Sequence, residues 1–153
     1  MIGLDTNVVL RLLTDDDPAQ VAAARALLQS VGEAPDAFHI DHVVLAECAW
    51  ALRAAYAFDR QLIADGIRAL TDVVSFDIED RDVVLDALAA YESGLADFSD
   101  CLIAARNVRA GCAYTATFDR RASRLEGMMA IGGTPEDAAA GEGKREPGTP
   151  EEI

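Results

Sequence analysis

Carboxylates are the side chains in this chain best placed to do chemistry together. Divalent cations such as Mg²⁺ and Mn²⁺ prefer oxygen ligands, and carboxylates that share a pocket stay ionised only with a bound cation, otherwise their pKa values rise. No cysteine or histidine joins the set, which disfavours Zn²⁺. Five acidic residues qualify by their positions near predicted strand and helix ends: Asp5, Glu47, Asp97, Asp100 and Asp119.

The elements that must position these residues follow an alternating pattern. Short apolar runs alternate with helical periods, which predicts an α/β fold, a three-layer α/β/α sandwich with a mostly parallel central sheet. Strands are predicted at 1–4, 38–40, 73–76, 112–118 and 128–131. Helices are predicted from about residue 6, over 18–31 and 43–57, around residues 63–70 and 84–91, and over 98–108.

The order of these elements places the carboxylates together. In a parallel sheet, ligands bind at the carboxyl ends of the strands, where the crossover helices also begin. Asp5 and Asp119 directly follow the first and fourth predicted strands, and Glu47 lies early in the helix after the second. Asp97 and Asp100 share a face at the start of the helix that leads into the fourth strand. We therefore expect all five at one edge of one sheet.

Each carboxylate also has a purely structural interpretation. Asp5, Asp97 and Asp119 precede helices and could simply cap them. Glu47 and Asp100 are harder to explain in this way, because the helix segments around them are strongly apolar. A charge in such a helix is costly unless something pairs it, which favours a cation in the pocket.

Other polar side chains near the same strand ends leave two interpretations open. Thr6, Asn7, Thr115 and Thr117 could form turns and caps, or they could position water or phosphate. A basic cluster beside Asp119 could contact a phosphate backbone or simply face solvent: Arg120, Arg121 and Arg124. His39 and His42 are spaced to share a metal. Without a third nitrogen or sulfur ligand, however, we expect them to be surface or loop histidines.

Composition limits the classes of function. The 13 basic and 27 acidic residues give a net charge of -14, which excludes a broad basic patch for nucleic acid. Nucleic-acid chemistry would therefore depend on cations or local arginines. Lys144 is the single lysine, and it lies in the last 21 residues, outside the predicted core. A phosphatase of the haloacid dehalogenase type and a phospho-accepting receiver domain both need a lysine at the site, so neither class fits. That phosphatase would also need an aspartate where the chain has Asn7.

The 153 residues suggest one domain followed by a polar extension. Residues 1–132 carry the predicted core, whereas residues 133–153 carry six acidic and two basic residues and one large aliphatic side chain. We predict an acidic, disordered C-terminal tail there. No membrane span or signal peptide is predicted, and Cys48, Cys101 and Cys112 form no CxxC pair. A cytoplasmic protein with reduced, mostly buried thiols is expected.

Four segments together resemble a known family over about residues 1–131. They are LDTNVVLRLLTDDDPAQ, VVLAECAWAL, ADFSDCLIAARNVRAGC and TFDRRASRL. They resemble PIN-domain proteins of the toxin type, the nuclease partners in bacterial VapBC toxin–antitoxin pairs. By that resemblance the acidic quartet is Asp5, Glu47, Asp100 and Asp119, with Asp97 and Thr117 as accessory residues.

The resemblance implies a Mg²⁺- or Mn²⁺-dependent endoribonuclease that cleaves RNA, reduces translation and is held inactive by a VapB-type antitoxin. Asp5, Asp100 and Asp119 would hold one or two ions, and Glu47 would bind the second ion or orient the attacking water. We further expect a homodimer. The alternative is a non-catalytic PIN-like module that binds RNA or protein without cutting.

Overall fold

Twelve elements follow one another along residues 1–32 and 34–132, the part of the chain that the computed structural model describes. The predicted acidic tail, residues 133–153, lies outside these residues. The strands are β1 (Ile2–Gly3), β2 (Phe38–Ile40), β3 (Phe76–Ile78), β4 (Thr115–Thr117) and β5 (Met128–Ala130). The α-helices are α1 (Thr6–Leu13), α2 (Pro18–Ser30), α3 (His42–Ala54), α4 (Arg60–Thr71), α5 (Arg81–Glu92) and α6 (Phe98–Arg109), and a short 3₁₀ helix covers Ala122–Arg124.

The strands pair in parallel within a three-layer α/β/α fold, as predicted, but they form two sheets. One sheet has the order β1-β2-β3, and β4 pairs with β5 in the other. Within the described residues no strand pairing joins β1 to β4, so the expectation of one continuous sheet is wrong. The two strands are short: β1 has two residues and pairs with β2, and β4 has three and pairs with β5, which leaves few backbone groups for a shared ladder.

The third strand lies later in the chain than predicted. The apolar run at 73–76 suggested a strand there, whereas β3 begins at Phe76. Phe76 and Ile78 are buried on one face and pair with Phe38 and Ile40 of β2, while Val74 is 69% exposed. Alternation with a period of two residues therefore decides where the strand lies, and the apolar run before it forms a loop. The fourth strand, predicted at 112–118, is likewise shortened to Thr115–Thr117.

Aspartates begin most of the helices. The side chains of Asp5, Asp17, Asp41 and Asp59 each accept a hydrogen bond from a backbone N–H in the first turn of α1, α2, α3 and α4. Such caps satisfy N–H groups that have no partner inside the helix. These four aspartates have a structural role, which is why a count of carboxylates alone does not locate a site.

The two histidines are less exposed than expected. Because Asp41 caps α3, the helix begins at His42, which is only 2% exposed and donates its backbone N–H to the Glu79 carboxylate over 2.8 Å. The His39 ring nitrogen Nδ1 lies 2.6 Å from an Asp77 carboxylate oxygen, across the β2–β3 pair. The expectation of surface or loop histidines is therefore wrong for His42, which is buried. It holds only in part for His39, which lies in β2 rather than in a loop but keeps a side chain 35% exposed.

The core lies between the three-stranded sheet and the helices. Its largest fully buried side chains include Tyr91, Phe38, Phe98, Leu45, Ile63 and Leu88. Cys48 and Cys101 are buried free thiols, as predicted, while Cys112 is free and exposed. In the described part of the chain, no helix combines the length and apolar character needed to cross a membrane.

Candidate active site

Asp5 and Glu47 meet at the start of α1. Asp5 caps that helix by accepting the Val8 N–H over 2.9 Å, and the hydroxyl of the next residue, Thr6, donates a hydrogen bond to the Glu47 carboxylate on α3. The pKa of the Cys48 thiol is raised to about 12, mainly by burial and also by the nearby charges of Glu47 and Asp5. Thr6 therefore connects the two acids: Asp5 precedes it in the chain, and Glu47 accepts a hydrogen bond from its hydroxyl.

Asp97, Asp100 and Asp119 form a second acidic group. Burial raises the pKa of Asp100, and the neighbouring charges of Asp119 and Asp97 act in the same direction. The backbone N–H of Asp97 donates a hydrogen bond to the Asp100 carboxylate and partly opposes the rise. The start of α6 and the end of β4 thus bring three carboxylates close enough to repel one another.

Local hydrogen bonds fix Asp119 after β4. Its carboxylate accepts the Arg121 N–H over 2.6 Å and the Ala122 N–H over 3.2 Å, while its own N–H donates to the Thr117 hydroxyl over 3.0 Å. Asp119 therefore holds backbone N–H groups at the start of the 3₁₀ helix, whose cap position is Arg121, much as the Asp5 side chain caps α1. For these two residues capping and a place in the acidic site are compatible, because a capped carboxylate keeps oxygen atoms available.

Asp97 does not cap α6 with its side chain. It occupies the cap position without a side-chain capping hydrogen bond, and its carboxylate instead pairs with Arg53 of α3 over 3.1 Å. The capping interpretation of Asp97 therefore holds for its position but not for its side chain. Arg53 was not among the candidates from the sequence, although it is the one arginine of α3.

The burial argument for Glu47 is also wrong. Glu47 is exposed, and its face of α3 includes Val43 and Trp50, which are 63% and 73% exposed. An apolar sequence around a charge does not bury it when the helix turns an apolar face to solvent. The corresponding argument for Asp100 holds in part, because that side chain is partly buried.

The predicted donors do not form a ready-made metal site. In residues 1–32 and 34–132, no group of three or more His, Cys, Asp or Glu side chains is arranged to hold an ion. The chemistry of the donors nevertheless suits Mg²⁺ or Mn²⁺, because all are carboxylates and the repulsion at Asp100 is what a bound cation would relieve.

The remaining polar candidates are divided between the site and its surroundings. Thr6 and Thr117 contact the two acidic groups directly, through Glu47 and Asp119. Asn7 lies in a groove between α1 and α2, and Thr115 accepts a hydrogen bond from Asn107 over 2.9 Å. Thr115 therefore belongs to the packing of β4 rather than to the acidic cluster.

Comparison with known proteins identifies the family. The PIN domain family model matches residues 2–128. The chain belongs to the PIN domain family. This PIN domain is also similar to a VapC ribonuclease of Aquifex aeolicus (strain VF5), with 21% identity over 122 residues, covering 80% of this chain and 90% of the relative. The predicted resemblance to VapC-type PIN domains is thereby confirmed, and every candidate site residue lies within the matched range.

Proposed function

We propose that this PIN domain is a metal-dependent endoribonuclease, the toxin of a type II toxin–antitoxin pair, which cleaves RNA and so reduces translation and growth. The crowding of Asp97 and Asp119 around Asp100 carries the proposal, because it concentrates negative charge where a divalent cation would be needed. Similarity to a protein named VapC ribonuclease supports RNA as the substrate.

The acidic quartet would hold Mg²⁺ or Mn²⁺ through Asp5, Glu47, Asp100 and Asp119. The bound cation would supply an activated water at neutral pH and stabilise charge on the leaving oxygen. Thr6 holds the Glu47 carboxylate through its hydroxyl, and the Asp97 N–H holds that of Asp100. Asp97, Asn7 and Thr117 are assigned accessory roles near the scissile phosphate.

A cleavage assay with one matched variant tests the proposal. The purified chain is incubated with single-stranded and structured RNAs in Mg²⁺, in Mn²⁺ or in EDTA. We expect cleavage only with a divalent ion, and none by Asp5→Asn. The asparagine oxygen can still accept the Val8 N–H, so the cap of α1 remains while the charge is lost. An Asp5→Asn protein that cuts at the wild-type rate would remove Asp5 from the site.

One observation favours a non-catalytic binding module as the second candidate. The described residues hold no preformed cluster of three metal-binding side chains. Such a module would bind RNA in the same samples without shortening it, in Mg²⁺ and in Mn²⁺ alike. Gel analysis of the bound RNA therefore separates the two functions.

The Thr6 hydroxyl provides a second prediction. Thr6→Val keeps the shape of the side chain but cannot donate to Glu47, whereas Thr6→Ser keeps the donor. We expect cleavage to fall roughly 10-fold or more for the valine variant, on the scale of groups that orient metal ligands, and to be largely retained by the serine variant. Equal rates for both variants would show that the hydrogen bond does not matter for cleavage.

A VapB-type antitoxin is the protein partner that this function implies. A groove between α1 and α2 is lined mainly by apolar groups and lies on the helix that Asp5 caps: Asn7, Val8, Arg11, Gln20, Ala23, Ala24 and Leu27. A peptide with aliphatic anchors and one cation would complement this groove and the neighbouring acids. Homodimer formation and a cytoplasmic location stay predictions.

Filling the groove should weaken antitoxin binding. Ala23 lines it and is exposed, so Ala23→Arg adds bulk without disturbing the core. Ala22→Arg is the matched control, because Ala22 is exposed on the same helix but does not line the groove. We expect only Ala23→Arg to lose the complex in a pull-down with the product of a small reading frame found directly upstream of this one. Equal binding by both variants would place the antitoxin elsewhere.

A further inference from the structure

Trp50 is the one tryptophan of the chain, and its side chain is 73% exposed. Tryptophan is highly buried on average in folded proteins, so an indole left in solvent is unusual. It lies on α3 three residues after Glu47 and three residues before Arg53. Because residues three apart on a helix are neighbours, the indole is flanked by a candidate catalytic acid and by a cation.

The same indole also borders the second acidic group. Trp50 and Arg53 line a small hollow with Asp97 and Ser99, at the start of α6. The Arg53 guanidinium lies 3.1 Å from the Asp97 carboxylate, which fixes this part of α3 against α6. Trp50 therefore lies on the surface that connects Glu47 to the group formed by Asp97, Asp100 and Asp119.

The negative net charge of the chain favours an aromatic contact, rather than an ionic one, as a source of RNA affinity. With a net charge of -14, the chain cannot gather RNA by neutralising many phosphates. Stacking of a base on an aromatic ring contributes affinity without needing positive charge, and it tolerates any base because every base has a flat face. The exposed indole beside the acids is placed to supply such a contact.

We propose that Trp50 is a stacking platform for an unpaired RNA base next to the phosphate that is cut. The inference rests on the proposed function and narrows its substrate class to single-stranded RNA, because bases inside a duplex already stack on one another. Arg53, beside the indole, is placed to contact the same nucleotide.

A second copy of the chain fits this surface less well. Two copies joined face to face would bring the exposed Glu47 carboxylates of both into one interface, and like charges there are unfavourable. Val43, 63% exposed, is the other large apolar side chain exposed on α3 among the described residues. Two exposed apolar side chains on α3 give a second copy little hydrophobic surface to bury there.

The single tryptophan makes the test direct, because indole emission reports on Trp50 alone. The full chain is titrated with a single-stranded oligoribonucleotide at low salt in Mg²⁺, and binding is followed in parallel by the anisotropy of an end-labelled copy. We expect indole emission to be quenched over the concentration range in which anisotropy rises. A perfectly paired RNA duplex should quench much less. Binding without quenching, or no binding at low salt, would overturn the inference.

Variants at Trp50 separate stacking from general apolar contact. Trp50→Ala should weaken RNA affinity roughly 5- to 100-fold, the scale of losing one stacked base, whereas Trp50→Phe should retain most of it. Trp50→Leu is apolar without an aromatic face and should behave like the alanine variant. Val43→Ala, the matched control on the same exposed face, should bind as the wild type does. Equal losses in Val43→Ala and Trp50→Ala would contradict stacking.

The outcomes also distinguish this inference from the proposed function. Cleavage of the RNA is scored by gel in the same samples. If RNA quenches the indole and its affinity depends on Trp50 but the RNA is not cut, base stacking on Trp50 stands and the proposed nuclease function is refuted. If Trp50 variants bind and cleave RNA as the wild type does, the proposed nuclease function stands and the stacking platform is refuted. An emission shift that depends on protein concentration without RNA would assign the surface to a second copy.

Discussion

Replacing Asp100 by asparagine is expected to lower RNA cleavage by a factor of about 100 to 1000 and to leave the fold at least as stable as before. Activity should fall because the variant removes one charge from the acidic group that would hold the cation. The fold should persist because the asparagine oxygen can still accept the Asp97 N–H. Asp86→Asn, an exposed charge on α5 away from the acidic groups, is the charge-matched control for both measurements.

The pH dependence of stability gives this prediction a specific sign. Asp100 has its pKa raised from 3.8, first by burial and then by the charges of Asp119 and Asp97. A carboxyl group whose pKa is higher in the folded state contributes stability at pH values below its unfolded pKa, and that contribution is lost as the pH rises through the folded pKa. At neutral pH the ionised Asp100 therefore opposes folding.

Melting temperatures at two pH values test that sign. Without a divalent cation, Asp100→Asn should melt at or above the wild-type temperature at pH 7, and its relative advantage should shrink near pH 3, where the wild-type carboxyl is protonated. Adding Mg²⁺ should raise the melting temperature of the wild type more than that of the variant, because a ligand that binds only the folded state stabilises it. A variant that melts clearly lower at pH 7 would show that ionised Asp100 is held by a stabilising partner.

The parts of the fold set by local chemistry could be predicted from the sequence. Pro18 preceded by acidic residues marked the start of α2, and Asp17 does cap it. The approximate positions of Asp5, Asp100 and Asp119 at strand and helix ends followed from the alternation of apolar runs. These features depend on a few neighbouring residues, so a pattern in the sequence contains most of the information.

The features that the sequence did not predict depend on distant contacts. Whether α3 buries Glu47 or turns it outward is decided by which face packs against the core, and an evenly apolar helix does not reveal that face. The separation of β4–β5 from β1 depends on pairing across more than a hundred residues. The Arg53–Asp97 ion pair likewise joins α3 to α6, and no local pattern connects the two residues.

Removing the Arg60 side chain is expected to give the largest loss of stability among single surface-accessible changes. Its guanidinium nitrogen Nη1 donates to the Tyr91 carbonyl over 2.6 Å and to the Ala96 carbonyl over 2.7 Å. The guanidinium also stacks on the Tyr91 ring, 4.2 Å from its centroid. Arg60 thus joins the start of α4 to the end of α5 and to the residue that precedes Asp97.

Arg60→Ala should lower the free energy of unfolding by about 2–4 kcal/mol, because hydrogen bonds from a charged donor are lost and partly buried carbonyls lose their partner. Urea unfolding followed by circular dichroism measures the change. Arg68→Ala is the matched control on the same helix. Its ion pair with Glu92, 2.8 Å long, is partly exposed, and losing it should cost no more than about 1 kcal/mol.

The same contact should affect the acidic site, since Ala96 directly precedes the cap position of α6. When its carbonyl is released, the backbone N–H of Asp97 is no longer held firmly in place to donate to Asp100. We therefore expect Arg60→Ala to lower cleavage even under conditions where the variant is fully folded, and Arg60→Lys to restore part of it because the ammonium can reach one carbonyl. If Arg60→Ala destabilised the chain no more than Arg68→Ala and cut RNA at the wild-type rate, the start of α6 would be held by its own packing alone.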